Sequence, residues 1–493
     1  MGRELESTKR TIPKKIFVDL DGTLLLSDSV WELVVMAIKI TPLELLFSLW
    51  GLLWSGRALF KERLTRAVLA AATPENFNVK LLPYNKALID QLSLLKKEGC
   101  SLILATGANQ LLAEKIVELD KDFFDGYIAS DHNSNRTGQR KLELITANSG
   151  GDGFGYIGNS VVDLPIWREA VWRAFVCNSW LTKKMVSSVV FDLVVDVRSS
   201  RLKALLKALR PYQWIKNILI FAPAILAHTI FDLSTLIANF WGFVSFSLLA
   251  STIYLINDAF DLFSDRAHPK KRFRPFASGS LPVGSILFFL PLFGSAAFLI
   301  ALSLGGEFLF VLISYLLLNL LYTFRLKQLL VIDLIILATL YILRLSAGAA
   351  VSKVELSPWL FLFSLFIFFS LACLKRYSEI NQNLLKVDDK LSGRAYKGID
   401  LSILQNLGVV SGMLSVLVVA LYINSPTVWK LYLSPNWLWI ICPALLGWIT
   451  ALWISSARGE YLEEDPIILS FKHPATYFAL ITIVFSIIAA TSF

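Results

Sequence analysis

Four residues near the middle of the chain, Asn257, Asp258, Asp261 and Asp265, carry side chains suited to chemistry. Asn257, Asp261 and Asp265 follow one another at four-residue intervals, and Asp258 precedes Asp261 by three residues and Asp265 by seven. On a helix all four share one broad face. Carboxylates gathered on one face repel one another, and they stay together only when water, cations or a metal offset the charge. Hard oxygen ligands of this kind suit Mg²⁺, which commonly bridges one or two carboxylates to substrate phosphates. The run HPKKRFRP follows at once and brings Lys271 and Arg274 as cationic partners for phosphate. The pattern reads as a diphosphate site. A solvated acidic helix end is the plainer reading for a lone DxxD.

A second constellation lies near the N-terminus. FVDLDGTLL places Asp19 and Asp21 at the end of a short apolar strand, where Gly22 and Thr23 turn the chain. A carboxylate nucleophile beside a second acid, on a turn with exposed amides, suits phosphoryl transfer. LILATGANQ gives another strand ending at Thr106, and YIGNSVVDLPIW another ending in Gly158, Asn159 and Asp163, with Lys141 between them in QRKLELI.

The elements that must position these residues follow from composition. The 493 residues are 55% hydrophobic and 17% charged, with a mean hydropathy of +0.59. That balance over such a length indicates a polytopic membrane protein. The net charge of +9 fits basic cytoplasmic loops and calls for no nucleic acid. Cys100, Cys177, Cys373 and Cys442 are scattered without a CxxC pair, which argues against a disulfide framework or a zinc site. No cleavable signal peptide is expected, because the polar start leads into the strand-like IFVDL.

Residues up to about 200 alternate short apolar runs with charged helices, as an α/β domain does. Spanning segments follow, beginning near Ile218, Leu236, Val283, Phe308, Leu329, Trp359, Leu401, Trp437 and Thr476, about nine in all, the first and last short. Basic residues fill every second loop: Lys203, Lys207, Arg210 and Lys216, then Arg266 to Arg274, then Arg325 and Lys327, then Lys375 to Lys397 with Lys386 and Lys390 among them, then Arg458 and Lys472. The positive-inside rule places the N-terminal domain in the cytoplasm and the C-terminus outside. The expected architecture is a cytoplasmic α/β domain over residues 1–200, with an apolar cap at about 30–60, and an all-α membrane bundle over 201–493. For the apolar cap segment, a buried cap or a membrane-surface hairpin is expected rather than a further span, because Lys39, Pro42 and Glu44 interrupt it.

NDAFDLFSDRAHPKKRFRPFASG resembles the NDxxDxxxD signature of the UbiA superfamily of intramembrane prenyltransferases, and the likeness covers about residues 205–493. LRPYQWIKN, LYTFRLKQ and LKRYSE are similar to the branch that transfers phosphoribose to a polyprenyl phosphate, the decaprenyl-phosphate phosphoribosyltransferases. The resemblance implies a helical bundle around a central cavity. It also implies Mg²⁺ held by Asp258, Asp261 and Asp265 with Asn257, and a second acidic cluster of which only Asp333 is found here. Tyr322, Arg325 and Lys327 are candidates for phosphate contact, and Arg344 lies eleven residues from Asp333, on the same helical stripe. Lys216, Lys271, Arg274, Lys375 and Arg376 are candidate binders of the remaining phosphates. The same aspartates would serve a prenyl diphosphate and an aromatic acceptor, so the metal motif leaves that alternative open.

The N-terminal motifs resemble those of the haloacid dehalogenase (HAD) superfamily over about residues 14–180. By that resemblance Asp19 is the nucleophile and Asp21 the acid/base. Thr106 and Lys141 hold phosphate, and Asn159 and Asp163 complete an Mg²⁺ site on a Rossmann-like sheet. Asn159 stands where most members have an acid, so a domain that kept its fold for regulation or docking is the alternative. A membrane transporter is disfavoured, because the acids cluster at one rim instead of across broken helices. The expected setting is the bacterial inner membrane, with a polyprenyl phosphate and phosphoribosyl diphosphate (or a prenyl diphosphate) as substrates.

Overall fold

The computed structural model describes residues 12–493 except 74–76, 120–122, 132–133, 135, 199, 383–390, 392–393, 461–469 and 493. Lys386 and Lys390 therefore lie outside the described residues. By contact the chain gathers into two compact units, one of Met1–Leu209 with Tyr254–Leu290, the other of Arg210–Ile253 with Pro291–Phe493. The aspartate motif thus packs with the N-terminal residues, although it continues a membrane helix.

The first unit is built on a six-stranded, all-parallel sheet in the order β3-β2-β1-β4-β5-β6. The strands are β1 (Lys15–Val18), β2 (Ser101–Asn109), β3 (Gly126–Ser130), β4 (Gly155–Gly158), β5 (Trp172–Cys177) and β6 (Leu193–Asp196). The central strand β1 is apolar after Lys15, with Ile16, Phe17 and Val18 wholly buried, as helices on both faces of a parallel sheet require. The order reverses between β1 and β4, and in such sheets the crevice beyond the strand ends at this switch point is where ligands bind. This is a Rossmann-like parallel sheet, the fold expected for the N-terminal residues.

The apolar segment expected to form a cap folds as two helices, α1 (Ser29–Ile40) and α2 (Pro42–Ala71). Asp28 caps α1 by accepting from the amides of Val30 and Trp31, and Pro42 opens α2 at a position where its missing N–H costs nothing. Helix α2 breaks at Gly56, whose φ of 78° and ψ of 175° lie outside helical space. The helix that begins inside the expected cap segment therefore runs past residue 60, to Ala71.

The second unit is helical. Among the described residues, eight helices are long and apolar enough to cross a membrane: Leu233–Phe260, Val283–Leu304, Gly306–Phe324, Ile332–Ser352, Pro358–Gln382, Gly398–Ile423, Pro435–Ala457 and Pro474–Thr491. They answer to eight of the expected segments, and the chain is a multi-pass membrane protein. The segment expected to span from near Ile218 is different: it forms a 3₁₀ stretch, Pro211–Phe221, and a short helix, Ala222–Leu226. Its winding is tighter, at about 2.0 Å per residue against 1.5 Å.

Candidate functional site

Strand β1 ends at Val18 and delivers Asp19 and Asp21 to the crevice, with Gly22 at φ 71° making the turn. A Cβ on Gly22 would meet the side-chain nitrogen of Asn159 at 2.2 Å, so only glycine fits there. Asp19 is 8% exposed and accepts a 2.6 Å bond from the Lys141 ammonium, which also donates to the Tyr156 hydroxyl at 2.9 Å. Asp163 is engaged on both oxygens: Tyr156 donates to one, and the Asn159 and Ser160 amides with the Ser160 hydroxyl donate to the other. Asp21 accepts from the Ser29 amide at 2.7 Å, which ties the acid to the start of α1.

Burial raises the Asp19 carboxyl to about 6, against the pull of Lys141. Burial, and then the Asp28 charge, raise Asp21 to about 7. The Lys141 ammonium is held above its ordinary value, because the charges of Asp19 and Asp163 outweigh the opposing cost of its burial. These residues open on a cavity of about 640 Å³, which Arg57, Lys61, Trp31 and Pro282 also line. Thr106 is wholly buried beneath it and accepts from the Ala108 amide, so the wall there is Gly107.

The aspartate motif does not lie on a single helix. The span Leu233–Phe260 ends before Asp261, and a short helix, Leu262–Ala267, follows. Asp261 takes φ −92° and ψ 9°, while its amide and that of Asp265 still reach the carbonyls of Asn257 and Asp261. The face is therefore bent but kept. Asp258 and Asp265 are each 2% exposed, and Arg274 lies between them, donating from Nη1 to Asp265 at 2.7 Å and to Asp258 at 3.3 Å. Burial raises the Asp265 carboxyl to about 6, and Arg274 opposes that rise. Lys271 is exposed on the turn Lys271–Phe273.

One residue beyond Asp265, Arg266 reaches a partner that the spacing could not show. It donates to both oxygens of Glu32 on α1, at 2.9 and 2.7 Å, and to the Ala277 carbonyl at 3.0 Å. The Ser27 hydroxyl also binds Glu32.

In the second unit Asp333 is wholly buried and belongs to a compact cluster. Arg376 donates to both its oxygens at 2.5 and 3.0 Å, Tyr322 to one at 2.8 Å and Arg394 at 3.2 Å. Arg376 also pairs with Glu379. Arg344, expected to share a stripe with Asp333, turns to other partners: the Asn217 side chain at 2.9 Å and the Tyr315 hydroxyl at 2.8 Å. Lys216 is buried and Lys375 half-buried, while Arg325 is exposed and Lys327 half-buried at the end of Gly306–Phe324. Glu379 and Arg394 join the cluster without having been singled out in the sequence. Arg394 is the more hidden, because its loop shows no regular period.

Among the described residues no three acidic, histidine or cysteine side chains converge closely enough to hold a metal ion as they stand. The donor chemistry still fits a hard divalent cation at both places. Asp258, Asp261 and Asp265 offer carboxylate oxygens only, and a guanidinium already bridges two of them. Asp19, Asp21 and Asn159 all line the N-terminal cavity, with a neutral amide as the third donor.

Residues 218–475 match the model of the UbiA prenyltransferase family. The chain is 32% identical over 480 residues to the Uncharacterized protein y4nM of Sinorhizobium fredii, covering 96% of this chain and 90% of that one. It is 42% identical to a decaprenyl-phosphate phosphoribosyltransferase of Corynebacterium glutamicum, over 36% of this chain and 54% of that relative. Among solved structures it resembles a UbiA homolog from Archaeoglobus fulgidus bound to GPP and Mg²⁺, at 17% identity and a TM-score of 0.45, over 59% of this chain and all of that one.

Proposed function

This chain belongs to the UbiA prenyltransferase family, and from that premise we propose that it moves 5-phosphoribose from phosphoribosyl diphosphate to a polyprenyl phosphate. The observation that carries the reading is the Asp258–Arg274–Asp265 bridge. Buried carboxylates and a guanidinium are interleaved there at the end of a span, as a diphosphate and its counter-ion require. The similarity to a decaprenyl-phosphate phosphoribosyltransferase supports phosphoribose over a prenyl group as the unit moved.

In this reaction a lipid phosphate oxygen attacks C1 of ribose, and the bond from C1 to diphosphate breaks. The diphosphate leaves with the electron pair. The acceptor is already an anion, so no protein base is needed, and the protein's work is positioning and charge stabilisation. Bound Mg²⁺, held by Asp258, Asp261 and Asp265, would supply charge neutralisation for the leaving group. Arg274 is the candidate phosphate ligand at that site. Arg376 and Arg394, both bonded to Asp333 and Tyr322, position that cluster.

The N-terminal domain then removes the 5-phosphate from the lipid-linked product. Asp19 attacks phosphorus, the ribose oxygen leaves with a proton from Asp21, and water releases inorganic phosphate from the aspartyl ester. Lys141 holds the Asp19 carboxylate in place. The setting we propose is a bacterial inner membrane, with the N-terminal domain cytoplasmic and the C-terminus outside. An odd number of crossings is reached if Pro211–Leu226 also crosses; its eleven 3₁₀ and five α-helical residues extend about 30 Å at the two rises, the thickness of the hydrocarbon core.

The test is incubation of the purified chain with labelled phosphoribosyl diphosphate and a panel of polyprenyl phosphates. Labelled lipid and released diphosphate are expected. Activity on a prenyl diphosphate with an aromatic acid, and none on phosphoribosyl diphosphate, overturns the donor assignment.

A further inference from the structure

We propose that the first leg of α2 lies in the membrane surface and so opens the N-terminal cavity to phosphomonoesters carried on lipid. The apolar piece Pro42–Leu52 is about 16 Å long at 1.5 Å per residue, too short for a core of about 30 Å. Its outer face is nevertheless hydrophobic. Leu43, Leu46, Phe47 and Trp50 fall at the first, fourth, fifth and eighth positions of one helical stripe and are 69%, 63%, 67% and 70% exposed. Trp50 and Phe47 are the side-chain types that anchor helices at the interface.

The structure indicates what covers this face. The Lys39 ammonium, at the end of α1, donates at 2.9 Å to the carbonyl of Phe260. Phe260 is the last residue of the span Leu233–Phe260. The exposed stripe thus starts within a few residues of a contact with the end of a membrane helix, which favours a bilayer as its occupant.

The same helix leads from that face to the chemistry. Past the break at Gly56 its second leg carries Arg57 and Lys61 into the lining of the cavity that holds Asp19 and Asp21. Lys61 donates to the Gly107 carbonyl at 2.7 Å, at the end of the strand that bears Thr106. Apolar anchors are thus followed, just past the break at Gly56, by cations suited to an anionic lipid headgroup. The substrate class drawn from this placement rests on the phosphatase reading above, whereas the membrane contact does not.

The experiment uses the full chain in vesicles of phosphatidylcholine and phosphatidylglycerol that contain a phospholipid with a diazirine in its acyl tail. After photolysis, peptide mass spectrometry should find tail adducts on residues 43–50 as well as on the spans. Adducts on the spans with none on 43–50 overturn the proposal. Protein–protein cross-links from 43–50 in their place also overturn it, by assigning the face to a second copy. In a second arm, the triple variant Leu46→Ser, Phe47→Ser, Trp50→Ser is compared with wild type. One substrate is a vesicle-borne lipid phosphomonoester and the other is soluble ribose 5-phosphate. The KM for the lipid substrate should rise about tenfold or more, because the leg loses the apolar side chains that seat it in the interface. The kcat, and the kinetics on the soluble substrate, should stay unchanged. An unchanged lipid KM overturns the delivery role. If wild type releases phosphate from neither substrate while 43–50 is still labelled, the phosphatase reading and the substrate class fall and the membrane contact stands.

Discussion

At the scale of single residues, the two sites ask different things of the same side-chain type. Asp19 is held by an ammonium and Asp265 by a guanidinium, and both are buried enough to be raised to about 6. Asp261→Asn removes charge and little shape, so transferase turnover is expected to fall at least tenfold with the fold unchanged by circular dichroism; near-wild-type turnover would count against its place in the donor site. Asn159→Asp is expected to lower the Mg²⁺ concentration that half-saturates phosphate release, because it adds a charged ligand where an amide now stands. An unchanged midpoint would show that this position takes no part in metal binding. The sequence made Thr106 and the aspartate motif candidates by a strand end and by helical spacing, whereas Lys141, inside the helix Gln139–Ser149, was a candidate only through the family resemblance. Arg394 and the Arg344–Asn217 bond were not legible, since they join residues far apart in the chain and no local period announces them.

At the scale of elements, the contact that matters most joins α1 to the short helix after Asp261. Glu32 and the side chain of Arg266 are almost fully buried and 2.7 Å apart, across 234 residues of sequence. Glu32→Gln leaves a buried guanidinium without its counter-charge, and a loss of about 3–5 kcal/mol in stability is expected. Replacing both partners by methionine is expected to cost much less, since a well-packed apolar pair can stand in for a buried ion pair. Thermal denaturation of the two variants checks this order, and equal losses would contradict it. The spans themselves were readable from length and hydropathy, with one exception. Pro211–Phe221 winds as 3₁₀ and not as α, and a hydropathy profile is blind to that choice. The bend at Asp261 was equally hidden, because the spacing of the four polar residues is the same on a straight helix.

At the scale of the whole molecule, the aspartate motif packs in one unit with the N-terminal domain, and Pro282 from the segment after it lines the N-terminal cavity. Composition alone divides the chain near residue 200, since that is where apolar spans begin; contact gathers residues 254–290 with the earlier domain, which only folding reveals. One chain is expected to carry out two consecutive reactions, and the second should be separable from the first. Asp19→Asn is expected to leave transfer untouched and to stop the sequence at the phosphorylated lipid. The most direct measurement is chromatographic separation of the lipid products that wild type and Asp19→Asn form from labelled phosphoribosyl diphosphate and a polyprenyl phosphate, with and without Mg²⁺. Inorganic phosphate is measured alongside. Mg²⁺-dependent labelled lipid is expected from both proteins, with wild type converting it to a ribosyl lipid and equimolar phosphate while Asp19→Asn accumulates the phosphorylated form. No labelled lipid from either protein, when a polyprenyl phosphate and Mg²⁺ are present, would contradict it.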